Sequence, residues 1–198
     1  MPSRTFAIFV LFVTAGCDGT TDSATVAAGD SDTTETPDTD TVVVGGETIA
    51  PIDLCINEFV AQSDESWEDD TGAFPDWIEI HNPTATEISL GDYILTDDPD
   101  DPGDETLDAS LVVPAGGFLV LAADGEPDLG PTHLPFSLDG EGEGIGLFHT
   151  SGAGEILTFG VVETDYSWAR GPDCCAEIPD CVTQVWQGTP NATNGDVQ

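Results

Sequence analysis

The sequence contains no lysine. Its two cationic side chains are Arg4 and Arg170, set against 39 acidic residues, for a formal net charge of −37. Without a basic patch the chain cannot neutralise a run of phosphates, which excludes nucleic-acid binding and electrostatic docking on an anionic lipid surface. Without lysine there is no lysine nucleophile, Schiff base or lysine general base. Histidine is scarce as well: His81, His133 and His149 stand at no metal-ligand spacing, and neither His-Glu-x-x-His nor Gly-x-Ser-x-Gly occurs. No glycine-rich loop leads into a helix, so a phosphate cradle is missing. Catalytic carboxylates cannot be singled out among 39 acids. The expectation is a protein that is not an enzyme.

What is present begins with a short apolar run. Residues 1–16 have a cationic start at Arg4 and eight apolar residues from Phe6 to Val13, then small residues. That run is too short to span a bilayer and fits a secretory signal peptide. Ala15-Gly16-Cys17 resembles the bacterial lipobox, although Thr14 stands where a larger aliphatic residue is usual. The resemblance implies cleavage before Cys17 and lipidation of its thiol, placing a lipoprotein in the cell envelope as a membrane-anchored protein, periplasmic or on the outer surface. Without lipidation the chain is secreted. Residues 17–50 follow as a segment rich in Thr and Asp, with no aromatic residue. Such a composition cannot offset its chain entropy by burial, so a disordered, self-repelling tether is expected.

Beyond residue 50 the apolar periods are short and turn residues recur, a pattern supported by 22 Gly and 14 Pro. Strands are expected over residues 55–61, 76–81, 88–95, 107–113, 118–122, 134–138, 145–149 and 156–162. In the second of these, Ile78 and Ile80 share one face and Trp77, Glu79 and His81 the other. Short strands punctuated by Gly, Pro and Asp, with no stretch of helical period, mean an all-β sandwich or barrel over residues 51–198.

Six blocks in order carry a family resemblance. They are Ile56-Asn57-Glu58-Phe59 with Asp76-Trp77-Ile78-Glu79-Ile80-His81-Asn82-Pro83; Leu90-Gly91-Asp92-Tyr93-Ile94-Leu95 with Asp97-Asp98; Pro114-Ala115-Gly116-Gly117-Phe118; Phe136-Ser137-Leu138; Tyr166-Ser167-Trp168-Ala169-Arg170-Gly171-Pro172-Asp173; and Gly188-Thr189-Pro190-Asn191. Together they resemble the lamin-tail domain family over residues 53–195. The resemblance implies an immunoglobulin-like β-sandwich. In bacteria such modules occur in secreted and surface proteins and are regarded as interaction modules, with no catalytic residues to transfer. The function expected is therefore a non-catalytic envelope lipoprotein presenting an interaction module to a protein or glycan partner. The alternative is a Ca²⁺-stabilised structural spacer.

Four cysteines remain after Cys17. In an exported chain Cys55, Cys174, Cys175 and Cys181 mean two disulfides. A bridge between the adjacent Cys174 and Cys175 is strained, which leaves Cys55 with one of them and Cys181 with the other. No cofactor is required, but calcium has a candidate site. Ca²⁺ takes six to eight oxygens from flexible loops, and Asp97, Asp98, Asp100, Asp101, Asp104 and Glu105 offer them. Two further acidic loops hold Asp64, Glu65, Glu68, Asp69 and Asp70, and Asp124, Glu126 and Asp128. The four tryptophans, Trp67, Trp77, Trp168 and Trp186, are expected in the core or at the sandwich edge, with Trp77 the candidate for an exposed binding face. Arg170 is expected as a structural clamp. It would stack on Trp168 and fork to a carboxylate, with Asp173 or Asp165 nearest and Glu58 or Glu79 possible from another strand.

Overall fold

The computed structural model describes residues 45–50 and 52–195. The expected signal peptide, Cys17 and most of the expected tether lie outside the described residues. No helix among the described residues is long and apolar enough to cross a membrane.

Among the described residues there are eleven strands: β1 (Gly45–Ala50), β2 (Cys55–Val60), β3 (Asp76–His81), β4 (Ile88–Ser89), β5 (Tyr93–Thr96), β6 (Val112–Val113), β7 (Phe118–Ala123), β8 (Gly144–His149), β9 (Gly154–Thr158), β10 (Tyr166–Arg170) and β11 (Val182–Trp186). They form a four-stranded sheet in the order β1-β9-β8-β5, a five-stranded sheet in the order β11-β10-β2-β3-β7, and the small pair β4-β6. Every strand pair is antiparallel. The fold is an all-β sandwich of immunoglobulin-like type.

The core lies between the two sheets. Ile56, Phe59, Ile78, Ile80 and Leu121 face it from the five-stranded sheet, and Leu95, Ile145, Leu147 and Leu157 from the other. Ile56 and Phe59 are an odd number of residues apart, yet both point inward. A bulge between Ile56 and Glu58 makes this possible by inserting Asn57 into the β2–β3 ladder. From there onward the outward parity falls on Glu58 and Val60. The outer face of this sheet is covered too: Val60, Trp77 and Val120 form a second cluster, with Trp67 packed against it.

Three expected strands differ from the structure. Residues 88–95 are split by a 3-10 turn at Leu90–Asp92, whose entry is capped by Ser89 Oγ accepting from Gly91 N–H at 3.3 Å. Residues 107–113 give a strand only at their end, because Asp108 Oδ1 accepts from Ser110 N–H at 2.7 Å and closes a local turn. Residues 134–138 make a single isolated bridge, at Ser137, rather than a strand. Pro135 in their midst has no N–H to donate.

The tether boundary at residue 50 is also corrected. β1 lies inside that segment and pairs with the edge of β9, Gly45 opposite Thr158 and Ala50 opposite Gly154. Ladder pairing uses main-chain groups, so a polar segment can add a strand wherever an edge is free. β10 and β11 lie beyond the expected strands, because short, glycine-bounded runs carry little period-two signal, although the clamp expected for Arg170 already supposes strand alternation over residues 167–170.

Candidate functional site

Among the described residues there are two disulfides, and one of them fastens the C-terminal segment to β2. Cys55 is bonded to Cys174 and Cys175 to Cys181. The first pins the segment after β10 to β2 across 119 residues of sequence. This settles which cysteine of the adjacent pair each partner takes.

The bridge sits beside a dense polar assembly on the outer face of β2 and β3. Glu58 and Glu79 are opposite each other in the ladder, and both are 0% exposed. The C-terminal turn supplies their donors. Thr189 donates its N–H and hydroxyl to Glu58 Oε2 at 3.0 and 2.9 Å, and Asn191 N–H donates to Glu79 Oε2 at 2.6 Å. Ser167 Oγ also donates to Glu58, and Asn57 Nδ2 donates to Glu79 Oε1 at 3.0 Å. Asp173 accepts from Asn57 Nδ2, Asn194 N–H and Thr193 Oγ1. Gly188 makes the close approach possible. Its φ is +67°, and a Cβ there would lie 2.8 Å from Trp77 and 2.9 Å from Glu58. Burial raises the Glu79 pKa to about 7; the hydrogen bonds from Asn57 and Asn191 oppose the shift, and the charges of Glu58 and Asp173 add to it. Burial raises Glu58 in the same way against its hydrogen bonds from Ser167 and Thr189.

Arg170 is 4% exposed and ties the two sheets together. Its Nη2 donates to Glu155 Oε2 on β9 at 3.0 Å, while Glu155 Oε1 accepts from Ile56 N–H on β2 at 2.5 Å. The carboxylate partner is therefore Glu155, not Asp173, Asp165, Glu58 or Glu79. Those four are occupied by backbone and hydroxyl donors: Asp165 Oδ1, for example, accepts from Asp64 N–H at 2.7 Å and Glu65 N–H at 2.9 Å. Glu155 comes from the facing sheet, and sequence distance gives no hint of it. Among the described residues no guanidinium–ring stack joins Arg170 to Trp168; the indole N–H and Arg170 Nε are both buried without a hydrogen-bond partner.

The six carboxylates of the 97–105 loop are not brought together. Asp98, Asp100, Asp101, Asp104 and Glu105 are exposed, and the loop gathers no three-ligand cluster. Mutual repulsion keeps such side chains apart in solvent unless something holds them. The structure instead joins the other two acidic loops through His133. This ring is 4% exposed; its Nδ1 lies 2.7 Å from Asp124 Oδ2 and its Nε2 3.1 Å from Asp70 Oδ1. Asp69, Asp124 and His133 each place a ligand atom within 4.8 Å of the others. Burial presses the His133 pKa down, but the hydrogen bonds and charges of Asp124 and Asp70 outweigh it and raise the value. Sequence spacing could not reveal the set, since its members lie on three turns.

The tryptophans also redistribute. Trp77 is fully buried, its Nε1 donating to Ser66 Oγ at 3.0 Å. Trp186 is the exposed one, at 52%, and meets Tyr166 edge-to-face with ring centroids 5.2 Å apart. Both lie on the β10–β11 margin, where β11 pairs on one side only.

Two antiparallel sheets closed over a single core, with a covered outer face and a disulfide-fastened end, define a β-sandwich module of the interaction or structural class. The chain belongs to the lamin tail domain family, whose model matches residues 47–163. That match begins within β1 and ends before β10, so the late Tyr166 to Asp173 and Gly188 to Asn191 blocks fall outside it. Comparison with the curated proteins finds no match.

Proposed function

We propose that this protein is a non-catalytic cell-envelope lipoprotein. Its lamin-tail sandwich would be held off the membrane by the tether and would present an interaction surface to a protein or glycan partner. The observation that supports it best is the free β11 edge with Trp186 exposed on it. A large aromatic left half in solvent beside Tyr166, on a strand with unpaired main-chain groups, offers both a flat apolar contact and a pairing edge. Sugar rings stack on the first, and an extended peptide adds to the second. Lipobox-like Ala15-Gly16-Cys17 followed by a long polar segment supports the anchor.

Two measurements test the reading separately. Cys17→Ser should move the mature chain from the membrane fraction to the soluble fraction; equal partitioning of both forms refutes the anchor. Partners captured by the wild-type protein from envelope extracts or on a glycan array should be lost with Trp186→Ala while the melting temperature stays within a few degrees. Capture that survives the substitution places the binding face elsewhere.

A further inference from the structure

We propose that Asp69, Asp124 and His133 form a binding site for a divalent transition-metal ion of the Zn²⁺ type, with Asp70 as the carboxylate that orients the imidazole. The ligand set is mixed. One imidazole nitrogen with carboxylate oxygens suits such ions, whereas Ca²⁺ takes six to eight oxygens and Mg²⁺ sheds its water reluctantly.

The geometry is nearly that of a coordination shell. Bonds of roughly 2.0–2.1 Å at tetrahedral or octahedral angles put neighbouring ligand atoms about 3–3.5 Å apart. His133 Nδ1 and Asp124 Oδ2 are already at 2.7 Å, and Asp69 completes a set whose ligand atoms lie within 4.8 Å. An ion on Nδ1 would take the place of the proton between those two atoms. The other ring nitrogen would keep its N–H on Asp70 Oδ1, 3.1 Å away, the carboxylate–histidine–metal arrangement that fixes ring orientation. Asp69 is 9% exposed and set in place from behind: its Oδ1 accepts from Thr71 N–H, Thr71 Oγ1 and Ala73 N–H at 2.8, 2.8 and 2.9 Å.

Charge supplies an independent reason. Two largely buried carboxylates, Asp69 and Asp124, meet one ring that is 4% exposed, so even an imidazolium leaves one negative charge uncompensated. The chain has no lysine to spare, and Arg170 is committed to Glu155. A dication answers that deficit. The Asp124 side chain is 16% exposed, so the Nδ1 side of the ring is open to solvent.

The rival is an imidazolium held by Asp70 and Asp124 with no ion at all. Calorimetric titration of the purified full chain with ZnCl₂ decides between them, with CaCl₂ in large excess to occupy the diffuse acidic surface. The expected result is one saturable site that resists Ca²⁺. His133→Gln and Asp69→Asn should each weaken it at least tenfold, and Asp70→Ala should weaken it about 10–100-fold. Asp69→Asn keeps an acceptor for the Thr71 and Ala73 donors, so it decides the matter if His133→Gln does not fold. Co²⁺ should give a ligand-field absorption band in the wild type that both ligand variants lack. Absence of saturable Zn²⁺ binding overturns the proposal, as does equal binding by wild type and both variants.

Discussion

Replacing Glu79 by Gln tests whether the buried carboxylate pair governs how stability depends on pH. Glu79 is fully buried opposite Glu58, and its pKa is raised from 4.5 to about 7. A carboxyl that binds its proton more tightly when folded adds stability below its unfolded pKa. That stability drains away as pH climbs through the folded value. At 1.36 kcal/mol per unit, the shift corresponds to about 3 kcal/mol, present in full below pH 4.5 and lost by about pH 8. Gln cannot ionise, so its variant should lack that slope. It also offers one acceptor oxygen where both oxygens of the carboxyl group, protonated or not, can accept, one from Asn57 Nδ2 and the other from Asn191 N–H. One donor is left without its partner, at a cost of about 1 kcal/mol. The two stability curves should therefore cross: Glu79→Gln less stable than wild type by about 1 kcal/mol at pH 4.5, and more stable by about 2 kcal/mol at pH 8. Urea unfolding followed by tryptophan fluorescence at fixed ionic strength measures both. Asp76, raised to about 6 by burial against its hydrogen bond from Ser63 N–H, contributes equally to both proteins and cancels in the difference. Parallel curves would refute the reasoning, because they would mean Glu79 is ionised and solvated throughout.

Arg170→Met should cost about 3 kcal/mol or more in urea unfolding by stranding buried Glu155, and adding Glu155→Gln should restore part of that loss; an unchanged midpoint in the single variant removes the inter-sheet clamp. Replacing Cys55 and Cys174 together by Ala should destabilise by about 5 kcal/mol on the loop-entropy account, against about 2 kcal/mol for the Cys175 and Cys181 pair, since their spans are 119 and 6 residues. Equal losses in calorimetric melting would show that the long bridge does not act through the unfolded chain. CaCl₂ should raise the melting temperature without saturating, and Asp98→Asn with Asp101→Asn should leave that response unchanged, because the 97–105 loop gathers no ligand cluster. A saturable rise abolished by this double variant would establish a calcium site there.

Gly188→Ala probes the C-terminal turn. The left-handed φ and the contacts with Trp77 and Glu58 both oppose a Cβ, so a loss of about 1–3 kcal/mol is expected in chemical unfolding. No change would mean that the turn does not hold Thr189 and Asn191 on the paired glutamates.

Local chemistry was sufficient for the class of fold. Alternating Ile78 and Ile80, recurrent Gly and Pro, and four cysteines beyond the first fifty residues led from residues to a disulfide-bonded all-β sandwich, because strand period and turn propensity are short-range properties. The same locality explains what escaped. β1 owes its place to the free edge of β9, and the bulge at Asn57 reverses which side chains of β2 face inward, neither of which a linear pattern records. Trp77, the candidate for an exposed face among four tryptophans expected in the core or at the edge, is covered by the loop bearing Ser66 and Trp67, while Trp186 lies at an open edge. The acidic residues show the division most clearly. Their number follows from composition, yet which of them lie buried depended on what each met. Glu58 and Glu79 met the donors of a turn more than a hundred residues away, Glu155 met Arg170 across the core, and Asp124 and Asp70 met His133. A carboxylate's neighbours set its charge state and its role, and in this protein they arrive from distant parts of the chain, so only the tertiary structure could choose them.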